Sequence, residues 1–229
     1  MKIRLLNLFL IGSVVLSVML DSCKKSEIEP AKEEIGTFTD SRDSKVYKWV
    51  KIGDQVWMAE NLDYTGSGIQ HIVDADEWEN NSDYDGWCYY SNNENNGKTY
   101  GVLYQWEAAK SACPNGWHLP TDAEWTKLKQ FLNNDGHSGN EGAALKTLSG
   151  WENGGEGSDN YGFSALPGGF CSIYGYFSDF GKTGSWWSAT ESSSGYAYAR
   201  SLNYDNSTMH RGDGYYKPDG LSVRCVRDY

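Results

Sequence analysis

Apolar and polar positions alternate along KVYKWVKIGDQVWMAENL, residues 45–62. Val46, Lys48, Val50 and Ile52 share one parity, and Tyr47, Trp49 and Lys51 share the other. A period of two describes a strand. Gly53-Asp54 divides the run into two, and a glycine there relieves the positive φ that tight hairpin turns need. In LYQWEAAKSAC the period lengthens. Leu103, Trp106 and Ala109 recur at three-residue steps before Cys113, with Ala108 and Ala112 alongside. This predicts a first helix, stopped by Pro114. A second helix starts at Thr121-Asp122-Ala123-Glu124. That tetrad is a capping box: the Thr121 hydroxyl accepts from the Glu124 amide, and the Glu124 carboxylate reaches back. Trp125, Leu128, Phe131 and Leu132 form its apolar stripe, and NNDG, residues 133–136, ends it. Downstream, GWENGGEGSDNYGF reads as loop. SALPGGF, SWWSAT, YAYARSLNY and LSVRCVRD read as short strands between Gly, Ser, Asn and Asp. Helices early and strands late, without regular alternation, predict an α+β fold.

Two stretches keep no period. Residues 65–99 and 203–220 mix Gly, Asn, Asp and Ser with aromatic residues. Long loops are uncommon in compact domains and tend to be functional or disordered; the embedded rings argue for order. At the start of the chain, Lys2 and Arg4 precede an apolar run to Leu20, which is a signal-peptide layout. MLDSC then resembles a bacterial lipoprotein box, with Leu20 at −3 and Ser22 at −1, although Asp21 departs from the usual small residue. Residues 1–22 are therefore expected to be a lipoprotein signal, with Cys23 lipidated. A plain secretory signal and an uncleaved anchor are the alternatives. Residues 23–38 read as a flexible tether, and residues 39–229 as one domain.

Charge narrows the partners. Loss of Lys2, Arg4 and Asp21 takes the formal charge from −11 to −12. An acidic body of this kind is not drawn to nucleic acid or to an anionic membrane. The lipid is thus the expected tie to the membrane, and a cell-surface or outer-membrane location is expected. Beyond Cys23, four cysteines remain: Cys88, Cys113, Cys171 and Cys225. In an exported chain they suggest two disulfides, in any of three connectivities. There is no CxxC and no histidine spacing suited to a metal. Asp74, Asp76, Asp83 and Asp85 offer hard oxygens that could suit calcium, without EF-hand spacing. Otherwise no cofactor is expected. His118 beside Cys113 invites a nucleophile–base reading. No further partner is evident, and an exported cysteine is more readily oxidised than held as a thiolate. The stretch CPNGWHLPTDAEWTKL is expected to be a disulfide-anchored corner, with the His118 ring bonded to a backbone carbonyl.

Five segments now stand in order: VKIGDQVWMAENL, YGVLYQWEAAKSACPNGWHLPTDAEWTKL, FSALPGGF, GSWWSATE and LSVRCV. Together, over about residues 39–227, they resemble the Fibrobacter succinogenes major paralogous domain, a family of exported bacterial proteins. The resemblance implies a C-type-lectin-like architecture: two helices on small, mostly antiparallel sheets, with long loops gathered on one side. It also implies a Cys113–Cys225 disulfide, which leaves Cys88 and Cys171 for the second. HLPTDAEW further resembles the helix start of formylglycine-generating enzymes. That activity would need a copper-binding cysteine pair, and in the C-terminal half only Cys171 and Cys225 are candidates. The expected function is a surface-anchored binding module for a glycan or protein ligand, without catalysis. A formylglycine-type enzyme and a structural envelope component are the alternatives. If the long loops meet, Trp78, Trp87, Tyr215 and Tyr216 are the candidate ligand-binding rings, because flat aromatic faces suit sugars and peptides.

Overall fold

The computed structural model describes residues 35–228. The signal segment, Cys23 and most of the tether lie outside the described residues. The hairpin forms as patterned. β1 (Ile35–Thr39) pairs with β2 (Val46–Ile52), and β2 turns through Gly53, at φ 62°, into β3 (Gln55–Met58). β1 begins inside the stretch expected to be tether. The alternation in β2 drifts: Tyr47 is buried at one end, Val50 and Ile52 at the other. Tyr47 belongs to one hydrophobic cluster and Val50 and Ile52 to a second, so the strand is covered on opposite faces along its length.

The irregular stretch 65–99 carries short elements. They are β4 (Gln70–His71), α1 (Ala75–Glu79), β5 (Gly86–Cys88) and α2 (Glu94–Tyr100). The predicted first helix is shorter than its pattern. Leu103–Tyr104 form a strand, β6, paired with β5, and α3 runs only from Trp106 to Ala112. The second helix, α4 (Asp122–Leu132), has both halves of its capping box. Glu124 N–H donates to Thr121 Oγ1 at 3.2 Å, and Thr121 N–H donates to Glu124 Oε2 at 2.7 Å. A short α5 (Glu141–Leu145) follows.

The remaining strands are β7 (Gly168–Cys171), β8 (Phe177–Phe180), β9 (Thr183–Ser193), β10 (Tyr196–Asn203), β11 (His210–Tyr216) and β12 (Val226–Asp228). They make a five-stranded sheet, β11-β10-β9-β7-β8, and complete a four-stranded one, β1-β2-β3-β12. A three-stranded sheet, β4-β5-β6, stands beside them. Pairing is antiparallel except between β4 and β5 and between β7 and β9. The fold is α+β, as expected.

The segment from Leu221 to Val226 stitches the sheets together. Tyr104 and Leu221 exchange backbone bonds, Ser222 bonds Ser185 and Trp187, and Leu62 and Met58 donate to Val223 and Cys225. His118 and Val226 bond each other. Leu221 to Val226 are buried, as are Trp57, Trp125, Trp186 and Trp187 beside them. The indoles of Trp106, Trp125, Trp186 and Trp187 each donate to a buried oxygen, whereas those of Trp57, Trp78 and Trp87 are buried without a partner. Among the described residues no helix is long and apolar enough to cross a membrane.

Candidate functional site

The corner at Cys113–Leu128 is structural. Cys113 and Cys225 are disulfide-bonded across 112 residues, with Cα atoms 5.9 Å apart, so Cys113 is not a nucleophile. The His118 ring does not reach a backbone carbonyl. Its Nε2 lies 2.6 Å from Glu124 Oε1, and it therefore braces the carboxylate that caps α4. Burial alone would raise the Glu124 carboxyl, but hydrogen bonds from Thr121 and His118 outweigh it and hold the group below its ordinary range. The cysteine pair that a formylglycine-type centre would need in the C-terminal half is also apart, since Cys225 is tied to Cys113 while Cys171 is free.

The expected aromatic face is corrected in part. Trp78 is 2% exposed and Trp87 5%, so neither presents a ring to solvent. Trp78 packs into a cluster with Ile72, Cys88, Leu103 and Cys171, and Trp87 into the main core. Both pin the 65–99 stretch to the body, together with Ile72 and Cys88 of the same stretch. The two irregular stretches do meet, but through buried groups. Gln105 Nε2 bridges the carbonyls of Trp78 and Pro218 at 3.3 and 3.2 Å. Gly220 lies against the Trp78 ring, where any side chain would collide. Tyr215 is half-buried edge-on to Trp187. Of the four, only Tyr216 is open, at 45%, its ring tilted against Tyr196 with centroids 4.5 Å apart. The acidic loop forms no cage. Asp74 caps α1 by accepting from Glu77 N–H, and Asp85 accepts from Asn81. Among the described residues no group of three or more His, Cys, Asp or Glu could hold a metal ion.

A cleft of about 510 Å³ lies elsewhere, lined by Arg42, Tyr64, Ser67, Gly68, Ile69 and Ser111. Three separate parts of the chain build it. Arg42, in the β1–β2 loop, forks onto Asp40 at 2.7 and 3.0 Å and donates to Ala112 O at 2.7 Å. It thereby meets one of the carbonyls that α3 leaves open at its C-terminus. Its guanidinium lies 3.6 Å over the Tyr64 ring. Burial would raise the Asp40 carboxyl, but the Arg42 hydrogen bonds hold it below the usual range. Tyr64 is held by Tyr104, whose hydroxyl accepts from Tyr64 N–H at 2.9 Å and donates to Tyr64 O at 2.8 Å. The arginine and the ring are thus fixed walls. The exposed groups are the hydroxyls of Ser67 and Ser111, beside the half-buried Ile69. Beside Tyr64 in the chain, Asp63 pairs with Lys45 at 2.7 Å; burial raises its pKa and Lys45 opposes the rise.

A second surface feature is built on β4 and β5. The exposed His71 ring lies flat on Trp87, centroids 4.0 Å apart and planes 7° apart, and Tyr89 stands edge-on to both. Ser67, Gly68 and Ile69 belong to the aperiodic stretch that the sequence marks out. Arg42 and Ser111 carry no local signal, and only the chain's return brings them to the cleft. The cleft offers hydrogen-bonding hydroxyls beside a fixed guanidinium and a fixed ring.

Comparison with curated proteins and with solved structures returned no match. A family description does match: residues 50–227 correspond to the Fibrobacter succinogenes major domain, and the chain belongs to that family.

Proposed function

We propose that this chain is an envelope-anchored, C-type-lectin-like binding module that takes a glycan in the cleft between the β1–β2 loop, the 64–69 segment and α3. One observation carries the reading: the cleft sets the exposed hydroxyls of Ser67 and Ser111 beside Ile69, with Arg42 and Tyr64 locked behind them; the Ser111 hydroxyl donates to Ala108 O at 3.1 Å and can still accept from a ligand. A sugar presents the matching surface, hydroxyls on its rim and an apolar C–H face. The lectin-like architecture is supported by the two consecutive helices α3 and α4 on antiparallel sheets and by the tie from the end of α3 to the last strand. Lipidation at Cys23 would hold the module at the membrane, with the tether giving reach.

The binding test is a glycan array probed with the full chain in mild detergent, followed by titration of the best ligand. Ser67→Arg and Ser111→Arg are expected to weaken binding at least tenfold with unchanged melting, since both are exposed positions. A ligand bound equally by the variants places recognition elsewhere, with Tyr216 the next position to change. An empty array together with capture of a defined envelope protein would favour a protein ligand. The anchor is tested by metabolic labelling with a fatty acid, which Cys23→Ala should abolish.

A further inference from the structure

Cys88 and Cys171 are reactive groups that the cleft does not use. Both are buried free thiols. They line one narrow crevice with Ile72, Trp78 and Phe177, whose open space of about 10 Å³ is close to that of a single water. The two side chains belong to one buried cluster, and the Cys171 thiol donates to Ser172 O at 3.7 Å. Neither is free to drift. Cys88 is the last residue of β5 and pairs with Leu103 in β6. Cys171 is the last residue of β7 and exchanges backbone bonds with Gly220, at 3.0 and 2.7 Å. Burial pushes the Cys88 thiol well above its ordinary pKa, and the neighbouring Cys171 adds to the rise. At rest the Cys88 thiol is therefore neutral, and its reaction needs an opening of the crevice at Val73, Asp74, Ala75 and Gly175.

We propose that Cys88 and Cys171 are a redox couple that closes to an intramolecular disulfide, locking β5 and the His71–Trp87–Tyr89 cluster onto β7. One thiol, deprotonated during opening, attacks a disulfide-bearing oxidant such as oxidised glutathione or a protein disulfide. The second thiol then displaces the oxidant's remaining half. One S–S bond forms, two S–H bonds are lost, and the oxidant leaves as two thiols carrying both electrons and both protons. Trp87 directly precedes Cys88, so closing the bond removes the freedom of the strand that supports the exposed His71 ring. The contrast with Cys113–Cys225 is instructive. Cys113 and Cys225 are bonded, whereas Cys88 and Cys171 are free thiols in one buried cluster. The inference is independent of what the cleft binds.

The test uses the full chain, incubated with oxidised glutathione, quenched with an alkylating agent and mapped by peptide mass spectrometry without reduction. A Cys88–Cys171 peptide is expected alongside Cys113–Cys225. The melting temperature should rise by roughly 10 °C on closure of so long a loop. Cys88→Ala, which keeps Cys113–Cys225, should show no such rise. The mapping is done on the wild-type chain and does not depend on the variant folding. Alkylation of both thiols after the treatment overturns the proposal, as does a crosslink from either one to Cys113 or Cys225.

Discussion

Arg224 carries its charge into the centre of the domain and meets oxygens there, not a carboxylate. Its Nη2 donates to Asn61 Oδ1 at 2.7 Å and to Ser164 O at 3.3 Å, and its Nη1 donates to the carbonyls of Met58 and Phe163. The guanidinium also lies 4.4 Å from the Phe163 ring. Burial lowers its pKa to about 9, which leaves it charged at neutral pH. Arg224→Met would strand several buried acceptors, and a loss of about 3 kcal/mol or more is expected in chemical denaturation. Arg224→Lys keeps the charge without the planar fork and should recover only part. Asp219 shows the opposite economy. Burial pushes its carboxyl up to about 6, against the pull of the Ile173 and Tyr216 N–H groups. A folded pKa above the unfolded one means that protonation favours the fold. Stability is then greatest below pH 4 for this group and falls as pH rises through about 6, by on the order of 2–3 kcal/mol. Asp219→Asn should flatten that part of the stability–pH curve. An unchanged slope between pH 4 and 6 would show that Asp219 is not its source.

At the scale of elements, α4 rests on its first turn. The capping box meets two of the amides that a helix start leaves open. Asp122, also in that turn, binds Arg200 at 2.7 Å and Arg211 at 2.9 Å, fastening the helix to β10 and β11. Thr121→Ala is expected to cost about 1 kcal/mol by denaturant titration, and Thr121→Ser much less. Glu124 has a depressed pKa, so its contribution is present above its unfolded pKa and is lost as pH falls through the folded value. The Thr121→Ala deficit should therefore shrink in acid. The other helix shows where local pattern fails. Leu103, Trp106 and Ala109 are helically spaced, yet Leu103 and Tyr104 are drawn into β6 by pairing with Cys88 and Trp87. A strand partner fixed by the core outweighs a weak propensity.

For the whole molecule, the Cys113–Cys225 bond ties the end of α3 to the last residues of the buried segment that joins the sheets. Closing a loop of this length is worth roughly 4–5 kcal/mol in the chain-entropy account, and removal of native disulfides commonly costs about 2–5 kcal/mol. Cys113→Ser/Cys225→Ser should lower the melting temperature by roughly 10 °C. A shift of only a degree or two would mean that the packing of Leu221 to Val226 holds the sheets without the bond.

The hairpin about Gly53, the capped helix from Thr121 and the mixed α+β class were legible in the sequence, because each rests on contacts a few residues apart. So was the tie between Cys113 and Cys225, through the resemblance of five ordered segments to a known family. The burial of Trp78 and Trp87 was not legible. A tryptophan in a polar loop reads the same whether it faces a ligand or a core, and only the neighbours that fold over it decide. The cleft was hidden for a like reason, since Arg42, Tyr64 and Ser111 come from three parts of the chain. Strand β11 was hidden too: Gly212 and Gly214 suppress its pattern, and pairing with β10 creates it. Local periodicity and capping are written in neighbouring residues. Which faces are covered, and which distant side chains share a surface, depends on long-range packing, and that was settled only when the chain closed on itself.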